Sequence, residues 1–389
     1  ADITTYNNKD YTVYRDIMFM LLPGFGYLMA FFKQYGLGSV GFSLLLTLVS
    51  MQLNLVVELA VRNLYAAITP SVAAQSIPYA IGFPAIINAE FAAATVLISV
   101  GAIIGQATPL QLVIFAIFEV IFYTFNKTFL VFGWIGAEDI GGTIFVHLFG
   151  ACFGLSASKA LGMPIDSGAD ANSTSNRISD VLCLIGTAFL WTFWPTFVAA
   201  SVWTENAYES RCYLNTVFSL LGSTATAFFG SSYFAKGKFE VGEIANGVLA
   251  GGVAIGVNGR INIGPGGSLL VGLLAGLVSI VGFKFISPMF TDMGISDNCK
   301  IANLHLWPAV LGGLLSAIFV LFDGQSTFFV HSPGNQCLRQ LIALGSTMIV
   351  GATAGFLTAL PLKGLKDDDT PSFEDGLWWE GDYFFDKEE

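Results

Sequence analysis

Long apolar segments follow one another along this chain, and they restrict it to very few kinds of fold. About 20 consecutive apolar residues cross the ~30 Å hydrocarbon layer of a bilayer. Eleven such windows occur, and none alternates polar and apolar residues as a membrane β-strand would. The pattern predicts an all-α integral membrane protein with eleven transmembrane helices. The windows are 16–33, 40–61, 83–105, 109–133, 140–162, 180–203, 212–234, 240–258, 264–286, 299–322 and 336–362.

Charge is scarce and unevenly placed, which separates the chain into two parts. Charged residues make up 12% of it, about half the share in a soluble domain. Of the net charge of −11, ten acids and two bases from Gly364 onward carry −8, which leaves −3 for the rest. We therefore predict a transmembrane domain over residues 1–363 and an acidic cytoplasmic tail over residues 364–389. No basic patch indicates a nucleic-acid partner.

The lysines and arginines give a prediction of orientation. With eleven spans the termini lie on opposite sides, and one side collects ten of these residues against seven on the other. Cytoplasmic loops carry the excess of positive charge. The count favours an outside N-terminus and a cytoplasmic C-terminus.

An internal repeat organises the spans. Similar motifs recur in spans three and eight and in spans five and ten, always with one offset of 158 positions. The matched pairs are Asn88 with Asn246, Asp139 with Asp297, and His147 with His305. Five spans per copy invert the second copy relative to the first, which is typical of transporters with a substrate path at the membrane midplane. The prediction is a 5+5 inverted repeat with an additional C-terminal span.

Two of the three histidines, His147 and His305, occupy equivalent repeat positions within spans. Under a pseudo-two-fold axis they would approach each other, and two neutral imidazoles can share one N–H···N hydrogen bond. A pair of packed core histidines without a ligand is the alternative. Neither has a carboxylate or thiol at i+3 or i+4, so we predict no metal, and no motif indicates a cofactor.

Asp139 and Asp297 each precede a repeat histidine by eight residues. For Asp139, capping of a helix N-terminus and a role at a pore mouth are equally favoured, whereas Asp297 is expected to be structural. The chain has no Walker A motif, nucleophile elbow, haem signature or zinc signature. We therefore predict that it is not an enzyme and that any flux is downhill or ion-coupled.

Several motifs are highly specific. They include Gly24-Phe25-Gly26-Tyr-Leu-Met, Asn88-Ala-Glu-Phe91, Asp139-Ile-Gly-Gly-Thr-Ile-Phe-Val-His147, Phe189-Leu-Trp-Thr-Phe-Trp-Pro-Thr-Phe197, Asn246-Gly-Val-Leu-Ala-Gly-Gly252, Asn303-Leu-His305 and Phe373-Glu-Asp-Gly-Leu-Trp-Trp-Glu380. Through them the chain resembles the ammonium transporter/Rh superfamily, and specifically its Rh branch, over nearly its whole length. The extra N-terminal span and the glycosylated loop of animal Rh glycoproteins are not found in this sequence, which favours a bacterial-type or a signal-processed Rh protein. Lys127 stands where Rh proteins often carry a glutamate.

The resemblance implies a homotrimer in a cell membrane, with one pore through each subunit. The residues that match the family's functional positions are Phe91 and Phe197 as an outer gate, His147 and His305 as the twin pore histidines, Asp139 as the vestibule acid and Glu240 as an acid near the inner mouth.

The function that the resemblance implies is passage of ammonia or ammonium, with methylammonium as a related substrate. Ammonium would lose its proton at the phenylalanine gate, and ammonia would then pass the histidines in an apolar pore. Two alternatives remain open: a carbon dioxide or dual gas channel, and an ion-coupled carrier of another small solute.

Overall fold

A computed structural model of the chain describes residues 8–69, 81–165, 172–202, 206–323, 331–367 and 369–381. Regular structure within these ranges is entirely helical. Nine of the described helical stretches are long and apolar enough to cross a membrane. The prediction of an all-α membrane protein is confirmed, and the other two of the eleven predicted segments are helical as well.

The eleven helical stretches are named α1 to α11 in chain order. α1 runs over Asn8–Phe19 and continues through Met20–Phe25 and Gly26–Leu28. The others are α2 Gly36–Ile68, α3 Phe83–Ile103, α4 Pro109–Ile135, α5 Thr143–Leu161, α6 Arg177–Ala199, α7 Asn206–Phe234, α8 Val241–Asn258, α9 Gly264–Asp292, α10 Ala302–Phe322 and α11 Pro333–Leu365.

Some helices extend well beyond the predicted windows because polar residues at their ends find partners. α1 begins at Asn8 rather than at 16, and its Lys9 ammonium lies 2.5 Å from the Glu209 carboxylate on α7. α2 reaches Ile68 rather than 61, and its Glu58 and Arg62 form an ion pair at 2.7 Å. A window that counts only apolar residues cannot detect such ends.

Glycines let neighbouring helices touch backbone to backbone. A Cβ at Gly272 of α9 would lie 1.8 Å from the Ser219 carbonyl oxygen of α7, and a Cβ at Gly355 of α11 would lie 2.1 Å from the Phe153 oxygen of α5. Small residues spaced four apart allow this close approach in membrane helices. These contacts hold α9 against α7 and α11 against α5.

The two repeat copies share a local structure at the start of α5 and of α10. Each begins with wide π-type turns, Thr143–Leu148 and Ala302–Leu306, that contain the repeat histidine. Just before each, an aspartate accepts hydrogen bonds of 2.7–3.0 Å from two consecutive backbone N–H groups. The donors are Ile144 and Phe145 for Asp139, and Ile301 and Ala302 for Asp297.

The described part of the acidic tail packs onto the helical body. The Asp375 carboxylate accepts hydrogen bonds of 2.7 and 2.6 Å from the N–H groups of Leu37 and Gly38 in the first turn of α2. Burial raises the pKa of this carboxyl to about 6, although both hydrogen bonds favour the charged form. The Phe373 ring is 1% exposed and lies 4.7 Å from the Phe32 ring, centroid to centroid.

Candidate functional site

His147 and His305 meet in the interior of the molecule. Their Nδ1 atoms lie 3.1 Å apart, and the two rings are nearly parallel, with an interplanar angle of 13°. Exposure is 0% for His147 and 2% for His305. The fixed repeat offset predicts this meeting, because equivalent positions of two inverted copies approach each other at their shared axis.

The contact between the imidazoles defines what they can do chemically. One Nδ1 must donate and the other accept, an arrangement that two neutral rings can form, and each ring keeps its Nε2 for another partner. The Nε2 of His147 is buried and has no hydrogen-bond partner among the described residues. A buried polar atom of this kind needs a partner, and a small polar solute can supply one.

Flat aromatic rings flank both histidines. The ring centroids of Trp194 and His147 lie 5.5 Å apart, with an interplanar angle of 18°. The ring centroids of Phe25 and His305 lie 6.3 Å apart, with an interplanar angle of 16°. Trp194 sits against the backbone of α8, where a Cβ at Gly252 would come within 2.4 Å of the indole nitrogen. The rings of Trp194, His147, His305 and Phe25 thus form one nearly parallel stack, and we call this stack and its immediate surroundings the slot.

Phe91 and Phe197 pack against each other beside this slot. Their ring centroids lie 4.6 Å apart, and the two side chains are 3% and 0% exposed. The Phe197 ring is also 5.9 Å from the His147 ring. The predicted gate residues are therefore adjacent to each other and to the histidine pair, on helices α3 and α6.

Two of the three predicted acids, Asp139 and Asp297, cap helices, and the third, Glu240, is exposed. Asp139 is 0% exposed, and its carboxylate faces the first turns of α5, which is the geometry of a helix cap. Asp297 makes the same kind of cap for α10. Glu240 is exposed at the start of α8 and, with Asp297 and Lys300, lines a cavity of about 630 Å³.

Three site residues were not singled out from the sequence. Trp194 and Phe25 lie inside motifs that carry the resemblance, but only the structure places their rings against the histidines. Gly252 lies in the motif that pairs with the Asn88 segment, and its role depends on a contact with α6. The available signal was motif membership, which does not indicate which residue faces the slot.

Within the described ranges no three His, Cys, Asp or Glu residues come together in a way that could hold a metal ion. The two imidazoles would be the only such ligands at the slot, fewer than the three or four protein ligands of a typical zinc site.

Comparison with known proteins identifies the family of the chain. Residues 4–369 match the model described as Ammonium Transporter Family. The chain is 36% identical to the ammonium transporter Rh type B of Takifugu rubripes over 390 residues, which cover 95% of this chain and 82% of the relative. It is 35% identical to the protein of the same name from Sus scrofa, with the same coverage.

Solved structures show the same fold. The structure of Nitrosomonas europaea Rh50, whose description concerns conduction by the Rhesus protein family of channels, superimposes with a TM-score of 0.79 and 31% identity, covering 95% of this chain and 91% of that one. A sensor Amt protein superimposes with a TM-score of 0.77 at 22% identity, covering 92% of this chain and 93% of that one.

Proposed function

Because the chain belongs to the ammonium transporter family, and within it to the Rh branch, we propose that it conducts neutral ammonia across a cell membrane, past His147 and His305. It is a multi-pass membrane protein of a family of channels and not an enzyme. The observation that carries the proposal is the buried imidazole pair, with Nδ1 atoms 3.1 Å apart, inside a slot of aromatic rings.

Selection of the neutral species follows from the lining of the slot. Moving a small cation from water into an apolar, enclosed space costs far more than moving a neutral molecule of the same size. Phe91 and Phe197 offer no carboxylate that would replace the hydration of ammonium. Desolvation therefore lowers the pKa of ammonium as it approaches the two rings, and the proton remains on the outer side.

The histidines offset the hydration that ammonia loses. Ammonia has both a lone pair and N–H groups, so it can accept from or donate to an imidazole nitrogen. The unpartnered Nε2 of His147 provides such a group at a position next to the gate. Because the rings share one proton between their Nδ1 atoms, the pair can present one donor and one acceptor along the path.

The contact between Phe91 and Phe197 prevents protons from crossing together with ammonia. A continuous file of water would carry protons through the slot, and the two rings, 4.6 Å apart, interrupt such a file. Passage of ammonia then requires a small displacement of the Phe197 side chain against its neighbours.

The assembly and orientation belong to the same proposal. We propose a homotrimer with one pore in each subunit, an outer gate, and a cytoplasmic acidic tail over residues 364–389. The cavity that Glu240 and Asp297 line would then be the inner vestibule, in which ammonia regains a proton before it leaves.

Carbon dioxide is a second candidate because the apolar slot discriminates against charge, not against all neutral molecules other than ammonia. It cannot donate a hydrogen bond, so the imidazoles favour ammonia over it. An ion-coupled carrier of another solute has no comparable support from the site.

The proposal is tested by stopped-flow recording of internal pH in proteoliposomes that face an ammonium gradient, with a carbon dioxide gradient as matched control. We expect faster alkalinisation than in empty liposomes for ammonia and little acceleration for carbon dioxide. A folded protein that accelerates neither gas would overturn the proposal.

A further inference from the structure

Lys127 is a buried cation on α4, in the part of the molecule that holds the gate. Its side chain is 9% exposed, and its ammonium lies 5.3 Å from the centre of the Phe145 ring. The same ammonium donates a hydrogen bond to the Asn88 side-chain oxygen on α3. Among the described residues no carboxylate lies within ion-pair distance of it.

These contacts are those by which proteins recognise an ammonium cation. The face of an aromatic ring attracts a cation through its quadrupole, and an amide oxygen accepts one of its N–H bonds. The lysine head is an alkylated ammonium, so Phe145 and Asn88 treat it as they would treat the free ion.

The acceptor is fixed in the orientation that a cation requires. The Asn88 amide nitrogen donates at 3.2 Å to the Asn54 oxygen, and the Asn54 nitrogen donates at 2.9 Å to the Thr124 hydroxyl. The Thr124 hydroxyl in turn donates at 2.7 Å to the Val120 carbonyl. This series of hydrogen bonds fixes the Asn88 amide with its nitrogen towards Asn54. The Asn88 oxygen is therefore directed at Lys127.

The nearby carboxylate of Glu58 is already engaged by other groups. Arg62 donates to one of its oxygens at 2.7 Å, and the Thr128 hydroxyl donates to the other at 2.9 Å. Glu58 therefore attracts both Arg62 and Lys127 electrostatically, but the groups in direct contact with the Lys127 ammonium are the ring and the amide.

This cation position adjoins the gate. The Phe145 ring lies 5.9 Å from the Phe91 ring, and Asn88 precedes Phe91 by one helical turn on α3. A free ammonium held by Phe145 and Asn88 would thus sit one ring away from the point at which it must lose its proton.

We propose that Phe145 and Asn88 form an ammonium-binding position at the outer end of the pore, and that the side chain of Lys127 fills it permanently. The inference rests on the proposed function, since it concerns how the pore takes its substrate. Native protein then binds no free ammonium at this position, and ammonium that reaches Phe91 and Phe197 from solution loses its proton without first being bound.

The first test measures binding rather than transport. Lys127→Ala removes the tethered ammonium and leaves its place open, and thermal unfolding is followed in ammonium chloride against equal sodium chloride. We expect Tm of this variant to rise by roughly 2–5 °C with ammonium, because a ligand that binds only the folded state stabilises it. Native protein and the control Lys159→Ala, an exposed cytoplasmic-end lysine bonded to the Met293 oxygen, should not respond.

An ammonium response in native protein, or none in a folded Lys127→Ala variant, would overturn the inference. The second test uses native protein alone and stands even where the variant does not fold. At constant pH, the rate of ammonia entry should rise in proportion to total ammonium without a plateau, whereas saturation at millimolar ammonium would contradict a filled site. Failure of the proposed function is a separate result, namely no ammonia flux by native protein.

Discussion

His147 and His305 are 158 positions apart in the chain, and their Nδ1 atoms are 3.1 Å apart in the structure. Each follows an aspartate that caps the wide turns in which the histidine lies. The contact therefore joins the two repeat copies at the same element of each. The proposed path for ammonia runs along this contact.

Removal of either imidazole should slow ammonia entry. His147→Ala deletes the buried Nε2 and the shared hydrogen bond, and a hydrogen bond of this kind contributes about 0.5–1.5 kcal/mol. Stopped-flow alkalinisation should be roughly 2- to 10-fold slower per folded subunit, and His305→Ala should behave alike. Cys152→Ala is the control, because Cys152 is also on α5 but lines a surface groove together with Trp307 and not the histidine pair. This variant should conduct normally. Native rates in both histidine variants would refute their role.

Truncation of the gate should let charge through. Phe197→Ala opens the contact with Phe91 and should increase proton leak across proteoliposomes under a potassium diffusion potential. The loss of a buried ring also costs about 3–5 kcal/mol of stability. Phe115→Ala separates the two effects, because Phe115 is equally buried but packs on Phe153 at 5.1 Å, away from the gate. Equal leak in the two variants would show that the gate contact is not what excludes charge.

A methyl group at Gly252 should displace the Trp194 ring that stacks on His147. The new Cβ in Gly252→Ala would lie 2.4 Å from the Trp194 indole nitrogen, so the ring stacked on His147 must move. Overpacking of this kind costs about 1–3 kcal/mol, and we expect a lower Tm together with slower ammonia entry. Gly345→Ala on α11, where a Cβ has no neighbour within 4 Å, should leave both unchanged. A normal rate in a destabilised Gly252→Ala would remove Trp194 from the path.

Loss of one tail ring should release the described part of the tail. The Phe373 side chain packs over Gly105 and against Phe32, so Phe373→Ala removes about 3–5 kcal/mol of packing. Limited proteolysis should then cut after Lys366 faster than in native protein. Leu377→Ala, at a side chain that is 42% exposed, is the control and should be cut at the native rate. Unchanged cleavage of the Phe373 variant would mean that other contacts dock the tail.

Much of the fold could be predicted because a bilayer imposes simple rules on sequence. Apolar length gives the helices, and a constant offset between Asp139 and Asp297 gives the repeat, since both follow from local sequence alone. Helix ends such as Asn8 and Ile68 could not be predicted, because they depend on partners of individual polar residues, as Lys9 pairs with Glu209 and Tyr65 donates to the Gly133 carbonyl.

The residues of the candidate site also separate into those that local sequence predicts and those that depend on packing between helices. The histidine pair follows from the repeat, and the two gate phenylalanines follow from motif resemblance. The stacking of Trp194 on His147 and the place of Lys127 over Phe145 depend on how different helices pack against each other. Nothing in the local sequence of α4 indicates that the lysine points to Asn88 rather than to lipid.

Simultaneous recording of ammonia entry and net charge movement in the same proteoliposomes tests the central claim most directly. A potassium diffusion potential of either sign is imposed while an ammonium gradient drives entry. If neutral ammonia crosses past His147 and His305, the entry rate is independent of the potential and no current accompanies it. A rate that follows the potential, with one charge moved for each ammonia, would show that ammonium or ammonia with its proton crosses, and would contradict the account.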